Sequence, residues 1–359
     1  MKKLISIIFL VNALGFIVSA QRKIIHLPDL PGFVTIKADL HLHTVFSDGN
    51  VWPTVRIDEA LRDGLDAVAI TDHLEYTPKD DFLPADFNAA WKIGEAYARD
   101  RNFILIHGAE ITRSMPPGHF NALFIQDANA LAVDSAWDAL AEAARQGAFI
   151  QWNHPGWKSQ QPDGIPRMYE IHSRLIKNGW LQGIEFFNDS EYYPLVMTFA
   201  RQFNLAVEAN SDNHGVISED YPASTNINRP MTLIFAKEKT SEAIKEALFA
   251  RRTLAYFHNT IAGMDEYARP FFWQCISVGK PYYQNDKSIF FEVTNTSDIP
   301  FYLVNGSAPA PSSIYLAPDA VTRVVISKKV KAPLVYNVRN VITGENEVLK
   351  VELKLSQVP

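Results

Sequence analysis

Between residues 33 and 262, short apolar runs alternate with amphipathic stretches, and this limits the fold more than any other feature of the chain. The apolar runs are Val34–Leu42, Ala67–Ile70, Phe103–His107, Phe120–Ile125, Ala148–Trp152, Gly183–Phe187, Leu205–Glu208 and Met231–Ala236. Helical spacing is expected over Thr54–Asp63, Phe87–Asp100, Ser135–Gln146, Met168–Asn178, Leu195–Gln202 and Ser241–Ala250. Pro53 near the start of the first and Gly64 just past its end punctuate it as a helix. Such alternation predicts a mostly parallel sheet with helices outside it. Roughly seven units of this kind suit a closed barrel better than an open sheet. Past about residue 263 the pattern changes to strands separated by Gly, Pro, Asn and Ser turns, with no helix between them. A small all-β, sandwich-like module is expected there. The fold class is thus α/β, a distorted (β/α)7 barrel followed by that module. The expected boundaries are 33–262 for the barrel and 263–359 for the module, with 21–32 a lead-in.

The first run carries the chemistry. Residues two apart on a strand share a face, so Asp39, His41 and His43 point one way and Leu40 and Leu42 the other. Paired imidazoles at a strand end can hold a metal ion, and the Asp48-Gly49 turn brings a carboxylate back towards them. A polar, solvated strand face is the plainer reading of this stretch alone. Other strand ends supply the same donor types: Asp72 and His73, Glu110, His119, His154, and Asp212 with His214. In barrels the C-terminal strand ends form the active face. Six of the ten histidines fall there. The remaining four, His26, His107, His172 and His258, read as ordinary structural or surface residues.

Residues 1–20 read as a secretory signal peptide: a basic start at Lys2 and Lys3, an apolar run, then Val18-Ser19-Ala20. Export to the periplasm or the medium is therefore expected. No later stretch is apolar enough to span a membrane. Removing Lys2 and Lys3 with the leader takes the net charge from −6 to −8, which argues against non-specific nucleic-acid binding. The single cysteine, Cys275, excludes an internal disulfide.

The ordered motifs DLHLHTVFSDG at 39–49, ITDH at 70–73, GAEIT at 108–112, GHF at 118–120, NHPGW at 153–157 and SDNHG at 211–215 resemble the PHP family (polymerase and histidinol phosphatase) of metal-dependent phosphoesterases. The resemblance covers 33–262 and not the C-terminal module. It implies a distorted seven-stranded β/α barrel whose site holds two or three divalent ions. It further implies that His41, His43, Glu110 and Asp212 hold the first ion, and Asp48, His73 and His214 the second. Glu110, His119 and His154 would hold the third, with Glu110 bridging. Some members carry His where this chain offers Asp48.

Imidazole and carboxylate donors without thiolate suit Zn²⁺, Mn²⁺ or Fe²⁺. A hydroxide generated on such ions would attack phosphorus in a phosphate ester. Asp39 and Asp72 are expected to orient the imidazoles, although capping acids look the same in sequence. Arg113 is the preferred phosphate clamp, against a surface salt bridge as the alternative. Trp157 and Tyr76 stand where they can stack on a substrate ring, and loops 76–86, 158–167 and 216–229 are expected to form the rim.

The expected protein is an exported hydrolase of small-molecule phosphoric mono- or diesters. Two other readings stay open: an amidohydrolase of C–N or C–O bonds, and a non-catalytic metal-containing binding protein. Amidohydrolases commonly add a bridging Lys, and none lies in the Ala148–Trp152 or Gly183–Phe187 runs. The C-terminal module is expected to contact the barrel, a glycan or another protein.

Overall fold

The computed structural model describes residues 24–225, 227–304, 310–330 and 333–355. The expected leader lies outside the described residues. The core strands are β1 (Val34–Asp39), β2 (Ala67–Ile70), β3 (Ile104–Ile111), β4 (Phe120–Leu123), β5 (Phe149–Trp152), β6 (Gly183–Asn188), β7 (Glu191–Tyr192), β8 (Ala206–Asn210), β9 (Met231–Ala236), β10 (Thr253–Phe257) and β11 (Thr260–Ala262). Among the described residues six helices of two turns or more run between them, α1 (Pro53–Asp63), α2 (Ala89–Arg99), α3 (Ala136–Arg145), α4 (Glu170–Lys177), α5 (Val196–Phe203) and α6 (Ser241–Phe249), with a short helical turn at Ile217–Asp220.

Local chemistry sets the helix ends. Pro53 occupies the first turn of α1, where its missing N–H costs nothing, and Gly64 closes the helix in the left-handed conformation at φ 72°. Ser135 and Thr240 cap α3 and α6 by accepting the amides of Asp138 and Ala243 at 3.2 Å.

Strands β1–β2–β3 and β5–β6–β8 are parallel. β4 runs antiparallel between β3 and β5, and β9 runs antiparallel to β1. The sheet is therefore more mixed than strand–helix alternation alone predicts. A single residue pair, Leu42 with Asn213, bridges the chain beyond β1 to the chain beyond β8. Asn210 adds a side-chain hydrogen bond to Leu40 N at 2.8 Å. Among the described residues no continuous ladder joins β1 to β8, so the first region is described as a mixed α/β sheet and not as a closed barrel.

The region beyond 263 differs from expectation at its start. Asp265–Cys275 is a helix, α7, that buries Ala268, Phe271, Phe272 and Cys275. Those positions follow helical spacing, but Pro270 inside the segment argues against a helix, which is why the sequence reads as helix-free. Burial pushes the Cys275 thiol up to about 12, so it packs as an apolar side chain.

Eight strands follow: β12 (Ile276–Val278), β13 (Tyr283–Gln284), β14 (Ser288–Asn295), β15 (Phe301–Val304), β16 (Ser313–Leu316), β17 (Ala320–Ser327), β18 (Leu334–Gly344) and β19 (Glu347–Leu353). β12, β13, β14 and β17 form one sheet. β15, β16, β18 and β19 join the main sheet, because β18 pairs in parallel with β11 at Ile261–Val341 and Ala262–Ile342. Phe235 and Leu233 of the first region share one apolar core with Phe271, Phe272, Phe291 and Phe301. Each buried Phe contributes roughly 1.5–3 kcal/mol, so the C-terminal strands are fastened to the first region.

Candidate metal centre

The site grows from the ends of the strands. Leu40 and Leu42 are fully buried on the core side, so alternation turns His41 and His43 to the other side, also fully buried. His73 follows β2 and pairs with Glu110 of β3 in an isolated parallel bridge. His119 opens β4, His154 follows β5, and Asp212 and His214 follow β8. Asp212 (φ 51°) and His154 (φ 26°) hold left-handed backbone. Non-glycine residues adopt that region at a cost, and it recurs where a side chain must be aimed.

The donors fall into three groups: His41, His43 and Asp212; His43, Asp48, His73 and His214; and Glu110, His119 and His154. Asp212 Oδ1 lies 3.1 Å from His41 Nε2 and 3.0 Å from His43 Nε2. Asp48 Oδ1 lies 3.2 Å from His214 Nε2 and 3.5 Å from His73 Nε2. Glu110 reaches all three groups, with Oε1 2.9 Å from His119 Nδ1 and 3.7 Å from His41 Nε2, and Oε2 2.6 Å from His73 Nδ1. The expected ligand residues are thus brought together. Two differences stand out: His43 is shared by two groups, and Glu110 groups with His119 and His154 while lying 3.7 Å from His41.

These groups fit divalent metal. His41 Nε2, His43 Nε2, Asp48 Oδ1 and Asp212 Oδ1 are buried without a hydrogen-bond partner, an arrangement costly unless something else binds there. Burial, with His73 and His214 alongside, drives the His43 imidazolium down to about 3, so the ring is neutral and free to ligate. Glu110 is held well below the carboxylate range: burial opposes ionisation, and His73, His119 and His41 outweigh it.

The supporting residues differ from expectation. Asp72 accepts Thr44 N at 2.6 Å, Thr44 Oγ1 at 2.7 Å and Ser47 Oγ at 2.7 Å. Asp39 accepts Ser211 N at 3.0 Å and Ser211 Oγ at 2.6 Å, and pairs with Arg229 at 3.3 Å. Both acids therefore brace the loops that carry ligands and do not touch the imidazoles. Glu185 of β6 does that work. It takes His41 Nδ1 at 3.0 Å, His154 N at 2.7 Å, Asn188 Nδ2 at 2.9 Å and Asn210 Nδ2 at 2.9 Å. Thr112 Oγ1 holds His73 Nδ1 at 2.6 Å, and the Asp212 carbonyl holds His214 Nδ1 at 2.8 Å. Glu185 escaped sequence reasoning, although a lone acid in the otherwise apolar Gly183–Phe187 run is a visible signal.

Arg113 is not brought to the ligands. It pairs with Glu75 and donates to the Thr112 and Val133 carbonyls at 3.0 and 2.7 Å. Arg56 of α1, like Arg229, is a fully buried cation nearby. It donates to His43 O and Asn213 O at 2.8 Å and pairs with Glu59, tying two ligand loops together. His107 stacks on Trp91 and His172 on Trp152, both away from the cluster. His26 and His258 also lie outside the three groups.

Two predictions concern the turn that carries Asp48. A Cβ on Gly49 would stand 2.7 Å from the His43 carbonyl carbon and the Thr44 nitrogen, and backbone cannot step aside. Gly49→Ala is expected to cost about 1–3 kcal/mol, read as a lowered urea midpoint. Lys79 Nζ straps the same turn, donating to Ser47 O at 3.0 Å and Gly49 O at 2.9 Å. Lys79→Met should weaken ion retention by about tenfold, measured by chelator competition. An unchanged competition curve would show that the turn holds itself.

A cavity of about 380 Å³ opens over the donors. The strand ends of this α/β sheet thus converge on buried imidazoles and carboxylates that could hold metal ions. The PHP domain family matches residues 39–129, and the Ig-like domain family DUF5001 matches residues 276–354. A two-domain protein from Bacteroides vulgatus, described as containing a predicted PHP-like metal-dependent phosphoesterase, is 39% identical. The match covers 93% of this chain and 99% of that one, with a TM-score of 0.89. This chain belongs to the PHP family, with the fold of a PHP-like metal-dependent phosphoesterase followed by an Ig-like domain.

Two further solved chains carry no argument about this one. One is a metal-dependent phosphoesterase candidate from Bifidobacterium adolescentis, 17% identical over 50% of this chain and 87% of its own, with a TM-score of 0.39. The other is an amidohydrolase from Chromobacterium violaceum, 18% identical over 50% and 87%, with a TM-score of 0.37. No curated protein matches.

Proposed function

We propose that this protein hydrolyses a small phosphate ester in a site of two or three divalent ions, Zn²⁺, Mn²⁺ or Fe²⁺, and that it is exported. The observation that carries this reading is the convergence of three donor groups, with buried unpartnered atoms, at and beneath one open cavity. His41, His43 and Asp212, with Glu110 beside them, are the residues for one ion. Asp48, His73 and His214 serve a second, and Glu110, His119 and His154 a third. Bound there, the ions supply Lewis-acid charge and make hydroxide available near neutral pH.

The chain's own part is orientation. Glu185 and Thr112 fix the His41 and His73 rings through the nitrogens recorded above, and Asn153 Nδ2 steadies Glu110 Oε1 at 3.0 Å. Asp39, Asp72 and Arg56 keep the ligand loops in place, so the donors meet the substrate with little rearrangement. Gln151 and Glu185 occupy the strands where an amidohydrolase would set a bridging Lys, which favours the phosphoesterase reading. Export rests on residues 1–20. Among the described residues no helix is long and apolar enough to cross a membrane.

The test is a panel of p-nitrophenyl phosphate, bis-p-nitrophenyl phosphate and matched amides and lactones, run with Mn²⁺, Zn²⁺ and Fe²⁺. Turnover confined to phosphoesters is expected. Turnover of amides or lactones alone by the metal-loaded protein would overturn the reading.

A further inference from the structure

The cavity over the donors has a second wall that metal binding does not use. It is the β6–β7 hairpin, where Phe187 pairs with Tyr192 and Asn188 with Glu191 around the two-residue turn Asp189-Ser190. Asp189 takes φ 47° there, the left-handed backbone that tight hairpin turns require. Trp157 also lines the cavity, 39% exposed, with its ring 5.3 Å from His154 and 5.7 Å from His119. Among the described residues, none that lines this cavity is Lys or Arg.

We infer that the substrate is a phosphate ester of a neutral, hydroxyl-bearing ring, a sugar phosphate. Its ring is received between Trp157 and the carboxylates of Asp189 and Glu191. This rests on the phosphoesterase reading above.

Three observations carry it. First, the two carboxylates are built into position. Tyr221 donates its hydroxyl to Asp189 Oδ1 at 2.9 Å, and Tyr193, itself buried, donates to Glu191 Oε2 at 2.7 Å. Burial keeps both phenols protonated, so they remain donors. Each carboxylate keeps further lone pairs for a ligand hydroxyl.

Second, the charge at the rim is negative and unrelieved by any lining cation. A leaving group with a second phosphate is repelled there, and the ester phosphate is left to the metal end of the cavity. Third, the wall mixes functions. Ser190 Oγ donates to Asp189 Oδ2 at 3.2 Å and keeps its lone pairs for a ligand hydroxyl, and a flat indole stands at the mouth. Sugar hydroxyls both donate and accept, and the C–H face of a pyranose lies flat on an aromatic ring.

The test uses the full chain loaded with metal. Its kcat/KM is compared for glucose 6-phosphate, fructose 6-phosphate, fructose 1,6-bisphosphate and phosphoethanolamine. Affinity for a hexose methylphosphonate is measured in parallel by calorimetry. The monophosphorylated sugars should exceed the bisphosphate and phosphoethanolamine by at least about tenfold. Asp189→Ala with Glu191→Ala should weaken phosphonate binding by a similar factor while metal content stays unchanged.

Equal or better use of the bisphosphate or of phosphoethanolamine, or unchanged phosphonate affinity in the double variant, overturns the inference. If no phosphoester is turned over by fully metal-loaded protein, the phosphoesterase reading fails. The calorimetry still reads the rim separately.

Discussion

Replacing His43 by alanine is expected to lower kcat/KM for a phosphoester by about 10³-fold, the loss of roughly 4 kcal/mol of transition-state stabilisation. His43 is the imidazole that two donor groups share. Its Nε2 lies 3.0 Å from Asp212 and 3.5 Å from Glu110, and its ring stacks at 4.1 Å on His214 and sits 4.3 Å from His73. Its loss removes a ligand from two donor groups at once. His41→Ala should also lose metal and activity, through the group it shares with Asp212. Neither change touches the packed side of the strand, where Leu40 and Leu42 are fully buried, so the far-UV circular dichroism should be unaltered. Full turnover at unchanged metal content in either variant would remove this stretch from the site.

Glu185→Ala is expected to have the next largest effect, a loss of about 10–100-fold in metal affinity and turnover. Glu185 does not line the cavity, yet it fixes His41 through Nδ1 and anchors His154 through its backbone amide. Its removal also strands the Asn210 side-chain amide and the His154 backbone N–H in a buried setting, and an unsatisfied buried donor costs about 1–3 kcal/mol. Glu185→Gln separates the two roles. It keeps an acceptor for the amides but weakens the hold on the ring, so stability should recover more than metal affinity. Equal recovery of both would make Glu185 a structural residue only.

Much of the architecture was legible because it rests on short-range periodicity. Ala67–Ile70 and Met231–Ala236 are strands over the expected residues, and α1 starts one residue earlier than expected, at Pro53. The direction of β4 and β9 was not legible, because hydrophobic pattern reports burial and not polarity of pairing. Helix α7 was hidden by Pro270. The pairing of β11 with β18 was hidden because it joins residues far apart in sequence.

The candidate donors were legible because metal chemistry restricts residue type and strand ends restrict place. The residues that support them were not. Asp39 and Asp72 are adjacent to ligands in sequence but bind loops, whereas Glu185 is distant in sequence and binds the ring. Arg113 lies three residues from Glu110 yet turns to Glu75. Sequence proximity identifies what stands on the same strand end, and only packing decides what each side chain faces.

The central claim is that this centre holds divalent metal and uses it on phosphoesters. Elemental analysis of the purified full chain, with phosphoester turnover measured before chelation, after it and on re-addition of metal, tests this most directly. The account predicts about two to three equivalents of divalent transition metal per chain, turnover lost with the metal and turnover restored with it. Less than one equivalent after loading, or phosphoester turnover that survives complete removal of metal, would contradict it.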